Sequence, residues 1–298
     1  MTLPAQLKFA NAPVSWGIWG KNSLPEGRTS KDILDALTSV GYDGVELGPL
    51  GFFGEGNELA DTLAAANLEC AGIYVPLRIF DGQANLDEDM ANLRTAVKVI
   101  ASLGNTGPII LAEETTDALK KAVARGRGPH PLDLDTKQWD RLIDVIEEGR
   151  QIIENAGLTA SLHPHGGTHI DQPWETDRVL ENVKIGLTID TGHAAAGGDD
   201  IFSLLNRWHD RINHVHIKDI VRGPILEAKR TGTTFGIASA SVPLGKGELL
   251  LDYWLKDLIR TYRGWIVIEQ DRRPDGGHDH SEVDKEQQEN LKWLKEHL

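Results

Sequence analysis

The chain has 298 residues, with 31 Lys and Arg against 45 Asp and Glu and a formal net charge of −14. That balance argues against a nucleic-acid partner, since phosphate binding needs clustered basic residues, and the 40% hydrophobic fraction is enough for a large core. Cys70 is the single cysteine, so no intrachain disulfide can form and no oxidising compartment is indicated.

In chain order, residues 1–5 show no basic region followed by an apolar run, so no signal peptide is expected. No stretch reaches transmembrane length, and the default expectation is a cytoplasmic protein with no membrane partner. Short β-rich runs then alternate with longer helical patterns, the mark of parallel βα units. Strands are predicted at 8–14, 44–47, 69–75, 108–112, 159–163, 186–190, 212–217 and 265–269. Helices are predicted at 30–40, 58–66, 87–103, 136–155, 175–182, 201–209, 250–262 and 281–297. Ser30 with Asp32 suits an N-cap and first-turn acid, and Gly41 suits a helix stop. Cys70, flanked by Leu68, Glu69, Ala71 and Gly72, reads as buried packing. Eight strands and eight helices predict an α/β fold, a (β/α)8 barrel in one domain over 1–298, with right-handed crossovers. Two connections are long: 113–135, with Arg125-Gly126-Arg127-Gly128-Pro129, and the Gly- and Ser-rich 219–248. Both follow strand ends, so both are expected on the rim that carries the active site.

Four predicted strands run from apolar residues into a metal-capable side chain: Ser161-Leu162-His163-Pro164-His165, Leu187-Thr188-Ile189-Asp190, His214-Val215-His216 and Ile266-Val267-Ile268-Glu269. Residues two apart share one face of a strand, so His163 pairs with His165 and His214 with His216, as ligands or as core histidines. Asp190 must be solvated, paired or coordinated, because burying a lone carboxylate is costly; capping the next helix is its other reading. Glu269 is in the same position, with Arg272 and Arg273 as alternative ion-pair partners. Mixed nitrogen and oxygen donors suit Mn²⁺, Co²⁺ or Zn²⁺. Trp16 and Trp19 can stack on a sugar ring or simply pack. Glu46 can accept hydrogen bonds from hydroxyls or form a structural ion pair. Lys218 can stabilise an enolate or phosphate, or pair with Asp219, and His169 can reach the pocket or face water. His209, His278 and His280 read as surface residues.

Ala12-Pro13-Val14-Ser15-Trp16-Gly17, Gly44-Val45-Glu46-Leu47-Gly48, Leu162-His163-Pro164-His165-Gly166-Gly167-Thr168, Asp190-Thr191-Gly192-His193 and His214-Val215-His216-Ile217-Lys218-Asp219 together resemble the xylose isomerase-like TIM-barrel superfamily. Within it the resemblance is to the inosose dehydratase and sugar phosphate isomerase/epimerase branch, and it runs from about residue 12 to 269. It implies a divalent metal, Mn²⁺ first with Co²⁺, Mg²⁺ or Zn²⁺ as alternatives, held by His163, Asp190, His216 and Glu269. It also implies that His193 touches the substrate. Epimerases of the superfamily carry Glu where this chain has His163, so their two-carboxylate proton exchange is missing, and the resemblance favours elimination. Glu113 or Glu114, ending the fourth strand, can supply a replacement carboxylate or face solvent.

The expected chemistry is metal-assisted proton abstraction α to a ketone and loss of a β-oxygen substituent from an inosose, keto-sugar or 3-keto-glycoside. Glu269, His163 or His165 is the expected base, and His193 or Lys218 assists the leaving group. Trp16, Glu46, His193 and His169 are the expected substrate contacts. The rivals are a ketose isomerase or epimerase acting through an enediolate, a metal-dependent phosphodiesterase, which the charge disfavours, and a sugar-binding accessory subunit. The expected partner is a small carbohydrate or cyclitol, and self-association is expected by analogy.

Overall fold

The computed structural model describes residues 7–20, 28–104, 106–114, 117–274 and 279–298; the reading of residues 1–5 and of His278 falls outside them. Apolar runs buried on both faces, such as Ile109-Ile110-Leu111-Ala112, form strands enclosed between an inner barrel and an outer helical layer. The barrel strands are β1 (Lys8–Asn11), β2 (Gly44–Glu46), β3 (Glu69–Leu77), β4 (Ile109–Glu113), β5 (Ala160–Leu162), β6 (Gly186–Asp190) and β7 (Ile212–Ile217). After a small antiparallel pair, β8 (Asp219–Ile220) with β9 (Ser241–Val242), the strand β10 (Trp265–Ile268) completes the barrel. Every barrel pairing is parallel, and β1 closes the sheet by pairing with both β2 and β10. All strands therefore end at one rim, where (β/α)8 enzymes place their sites.

The helices are α1 (Ser30–Val40), α2 (Asn57–Ala65), α3 (Gln83–Leu103), α4 (Asp117–Lys120), α5 (Thr136–Asn155), α6 (Pro173–Asn182), α7 (Thr191–Gly197), α8 (Ile201–Trp208), α9 (Gly223–Thr231), α10 (Leu251–Leu258) and α11 (His280–His297). Thr29, not Ser30, caps α1: its hydroxyl accepts the Asp32 N–H while the Asp32 carboxylate accepts the Thr29 N–H, and Gly41 ends the helix at φ 87°. No helix among the described residues is long and apolar enough to cross a membrane.

The structure departs from expectation where short segments are held by tertiary contacts. The first strand stops at Asn11, because Pro13 opens a 3-10 turn over Pro13–Trp16 that Gly17 closes at φ 77°. The 113–135 connection holds α4 and is anchored by buried Arg125, which donates to Asp133 (2.9 Å), Glu175 (2.7 Å) and the Thr168 carbonyl (3.2 Å). Burial pushes the Glu175 carboxyl up to about 7 against the pull of Arg125. The 219–248 connection is not a plain loop: it contains β8, α9 and β9, and α9 has Pro in its first turn and Gly232 past its end. Asp219 organises this segment, its carboxylate accepting the N–H groups of Ile220 (3.0 Å), Gly245 (2.9 Å), Gly247 (2.9 Å) and Leu249 (3.3 Å). Asp219→Ala strands those donors and is expected to cost about 2–3 kcal/mol. Hydrogen exchange should show loss of protection confined to Ile220 and 241–249; unchanged protection there would contradict this role.

Candidate active site

Parallel register brings the chain's four strand-end donors to one place. Asp190 lies opposite His216 between β6 and β7, and Val267 lies opposite His216 between β10 and β7. Just past their strands, His163 N–H donates to the Leu111 carbonyl (2.8 Å) and Glu269 N–H to that of Ile217 (3.1 Å), so both continue the ladders. Donor atoms of His163, Asp190 and His216 all lie within 4.8 Å of one another. Glu269 joins them: its Oε2 is 3.2 Å from His216 Nδ1, and Asp190 Oδ2 is 3.7 Å from the same nitrogen, neither in hydrogen-bond geometry. The Nδ1 atoms of His163 and His216 are buried without a hydrogen-bond partner. Such unmade contacts are costly, and that of His216 faces two carboxylates, an arrangement that suits a divalent cation.

The Asp190-Thr191-Gly192-His193 segment is built around Lys218. Asp190 does two jobs: Oδ1 caps α7 by accepting the His193 N–H (2.8 Å), and Oδ2 accepts from the Lys218 ammonium (2.9 Å). Thr191 Oγ1 donates to the Lys218 carbonyl (2.7 Å) and accepts the Lys218 N–H (2.9 Å). Gly192 leaves room for that side chain, since a Cβ there would lie 2.8 Å from Lys218 Cβ. Lys218 is only 1% exposed and also pairs with Glu269 and with Asp271 Oδ1 (3.2 Å). Burial alone would lower the ammonium's pKa, but Asp190, Asp271 and Glu269 together hold it well above the usual value. Burial would likewise raise Asp190 and Glu269; Lys218 and the neighbouring imidazoles keep both below the ordinary carboxylate range. Asp271 is raised by its burial. The alternatives of a Lys218–Asp219 pair and of Arg272 beside Glu269 are therefore corrected, because Asp219 turns to the loop and Arg272 pairs with Glu286.

His193 has a defined tautomer. Its Nδ1 accepts the Gly166 N–H (3.0 Å), so in the neutral ring the proton sits on Nε2. Burial, then neighbouring His165, holds His193 well below its usual pKa and keeps it neutral. Donor atoms of His163, His165 and His193 also fall within 4.8 Å, but a metal there would have to displace the Nε2 proton of His193. His165 stacks at a tilt on His193, ring centres 4.2 Å apart. His163 is pushed well below its usual pKa by burial and by His216.

The other expected contacts have protein partners of their own. Glu46 is buried, with Oε1 accepting from His214 Nε2 (2.6 Å) and His216 Nε2 (2.7 Å), so it does not present that oxygen to a substrate hydroxyl. Trp16 is buried against the outer layer: its indole N–H donates to Asp284 of α11 (2.8 Å) and Arg28 lies over its ring. Trp19 is 49% exposed, with its N–H on the Arg272 carbonyl. His169 and Glu113 hold each other, the His169 N–H donating to Glu113 Oε2 (2.7 Å) with its Nδ1 3.2 Å from Oε1. Glu113 is thus a buried acid, raised by desolvation, and not a solvent-facing one. Glu114 accepts from the Tyr74 hydroxyl (2.7 Å), and the Tyr74 ring faces His163 and His165 at 6.1 and 6.2 Å. His209 is exposed and His280 half-buried.

Asp271 and Tyr74 were not legible beforehand as site residues. Asp271 carried one signal, since it stands two positions past Glu269, where an extended chain repeats its face. Tyr74 carried none beyond an aromatic near a strand end.

A family model described as xylose isomerase-like TIM barrel matches residues 34–297. The chain belongs to this family. Among its relatives, the inosose dehydratase of Lactiplantibacillus plantarum is 30% identical over 277 residues, covering 90% of each chain. The inosose dehydratase of Bacillus velezensis is 31% identical over 282 residues, covering 88% of this chain and 90% of the relative. A solved structure described as the IOLI protein with a binding zinc atom superposes with a TM-score of 0.75 over 98% of this chain and 99% of that one. At 17% identity that likeness speaks for the fold alone. This xylose isomerase-like barrel is an enzyme, and its clustered donors are those of a metal-dependent one.

Proposed function

We propose that the chain is a metal-dependent carbon–oxygen lyase acting on an inosose or keto-sugar by α-proton abstraction and β-elimination. The carrying observation is the convergence of His163, Asp190 and His216 within 4.8 Å, with Glu269 against His216. The likeness to relatives named inosose dehydratase supports the choice of substrate class. His163, Asp190, His216 and Glu269 would hold the ion; two nitrogen and two oxygen donors suit borderline cations, with Mn²⁺ first. A cation held there supplies Lewis acidity toward the substrate carbonyl oxygen.

The chain's own groups divide the proton work. Glu269 is engaged by Lys218 and His216, and His163 is buried against the cluster, which leaves His165 as the base. Its Nδ1 is sealed and unpartnered, so Nε2 is the atom that meets the substrate and takes the α proton. As that C–H bond breaks, its electron pair forms the new double bond and the β carbon–oxygen bond opens. His193 steadies the departing oxygen with a hydrogen bond from its Nε2–H, and the proton taken up by His165 passes to that oxygen, which leaves as water or as an alcohol. Lys218 holds Asp190, Glu269 and Asp271 in place.

The metal-loaded chain should be offered inososes, 3-keto-glycosides and ketohexoses in deuterated water. A new ultraviolet-absorbing enone or dione is expected from one of the first two classes. Deuterium uptake into a ketose with no such product would replace this reading with the isomerase or epimerase.

A further inference from the structure

Glu46 makes an interaction that neither the barrel's packing nor the elimination chemistry explains. It ends β2, while His214 and His216 lie on β7, and β1 and β10 separate those strands in the sheet. The carboxylate therefore reaches the two rings across the barrel interior, where all three residues are essentially excluded from solvent. One oxygen, Oε1, accepts from both Nε2 atoms at 2.6 and 2.7 Å. Both contacts require N–H on Nε2, which in a neutral imidazole leaves the lone pair on Nδ1. For His216 that lone pair is turned toward Asp190 and Glu269.

We infer that Glu46 is a positioning residue that fixes the tautomer and rotation of His216, so that Nδ1 is presented to the cation as a ready ligand. The inference rests on the metal-site reading above. A carboxylate behind a ligating imidazole orients the ring and raises its basicity, and its loss typically weakens metal affinity by about 10–100-fold. The same three residues form a donor cluster of their own. However, donors that share a cation at about 2.0–2.2 Å stand about 3 Å or more from one another, so the 2.6 and 2.7 Å contacts from one oxygen to both rings describe N–H donation, not joint coordination.

The test is calorimetric titration of the chelator-stripped full chain with Mn²⁺, repeated with Co²⁺ so that its visible absorption reports the ligand set. Wild type should bind one equivalent. Glu46→Gln should bind about 10–100-fold more weakly with an altered Co²⁺ spectrum, while His214→Asn, which keeps the Glu46–His216 contact, should match wild type. Should Glu46→Gln not fold, Glu46→Asp takes its place, since the shortened carboxylate no longer reaches both rings, with the same weakening expected. Equal affinity for wild type and the Glu46 variant overturns the inference while leaving the metal site standing. Equal weakening in His214→Asn overturns it as general loss of packing. Two equivalents in wild type, one of them lost with Glu46, would make Glu46 a ligand instead. No metal on wild type removes both this inference and the proposed function.

Discussion

His216→Ala is expected to leave the chain without bound divalent metal and to lower kcat by about 10³-fold or more, roughly 4 kcal/mol of transition-state stabilisation. His216 is the most connected member of the cluster. Its Nδ1 faces Asp190 and Glu269, and its Nε2 is held by Glu46. Burial would keep the ring neutral, but Glu269 and Glu46 hold its pKa well above the usual value. The site thus draws a positive charge to that point, either a proton or a cation. Alanine leaves three carboxylates facing one another with one imidazole fewer. Elemental analysis after dialysis without chelator, alongside turnover, checks this; full activity with no metal bound would end the proposed mechanism.

Lys218→Met should have the largest effect on stability, about 3–5 kcal/mol at neutral pH, because it strands buried Asp190, Glu269 and Asp271 without their ammonium. The contribution of Asp190 and Glu269 to the pH dependence should also change sign. In the wild type, Asp190 and Glu269 are held below their ordinary range. They therefore contribute stability above their unfolded pKa values that is lost as pH falls through the folded ones. Without the ammonium, burial dominates and raises these carboxyls, so the folded chain binds protons more readily than the unfolded one. The variant should then gain more stability than the wild type between about pH 7 and about pH 5, since raised acids such as Glu175 act alike in both. Urea unfolding at both values reads this directly. A loss under about 1 kcal/mol, the size of an exposed pair, would show that the ammonium is not holding the cluster. Added Mn²⁺ should restore part of the loss, since a cation supplies the missing charge.

Much of this could be read before any coordinates. The alternation of apolar runs and helical patterns predicted a closed parallel barrel, and a His, Asp or Glu at the end of an apolar strand predicted which side chains stand on its rim. Where local patterns left a reading open, tertiary contacts decided it. Asp190 was offered as either cap or site residue, and it is a cap that also holds Lys218, because a carboxylate has two oxygens. The segment 219–248 was read as a loop from its glycines, whereas Asp219 and Pro224 order a strand pair and a helix within it. Glu46 and Trp16 both follow strands, and one turns into the barrel while the other turns toward α11.

Strand ends, helix caps and facing are local properties: period-two and period-3.6 patterns are set by the backbone, so neighbouring residues suffice to specify them. The sequence by itself therefore determined the barrel and the residues at its mouth. Partners are not local. That Lys218 serves Asp190, Glu269 and Asp271 and not adjacent Asp219, and that Glu46 meets imidazoles 168 and 170 positions away, was decided only when the sheet closed. Closure brings distant strand ends together in a dry interior, where each charge must find a counter-charge within reach.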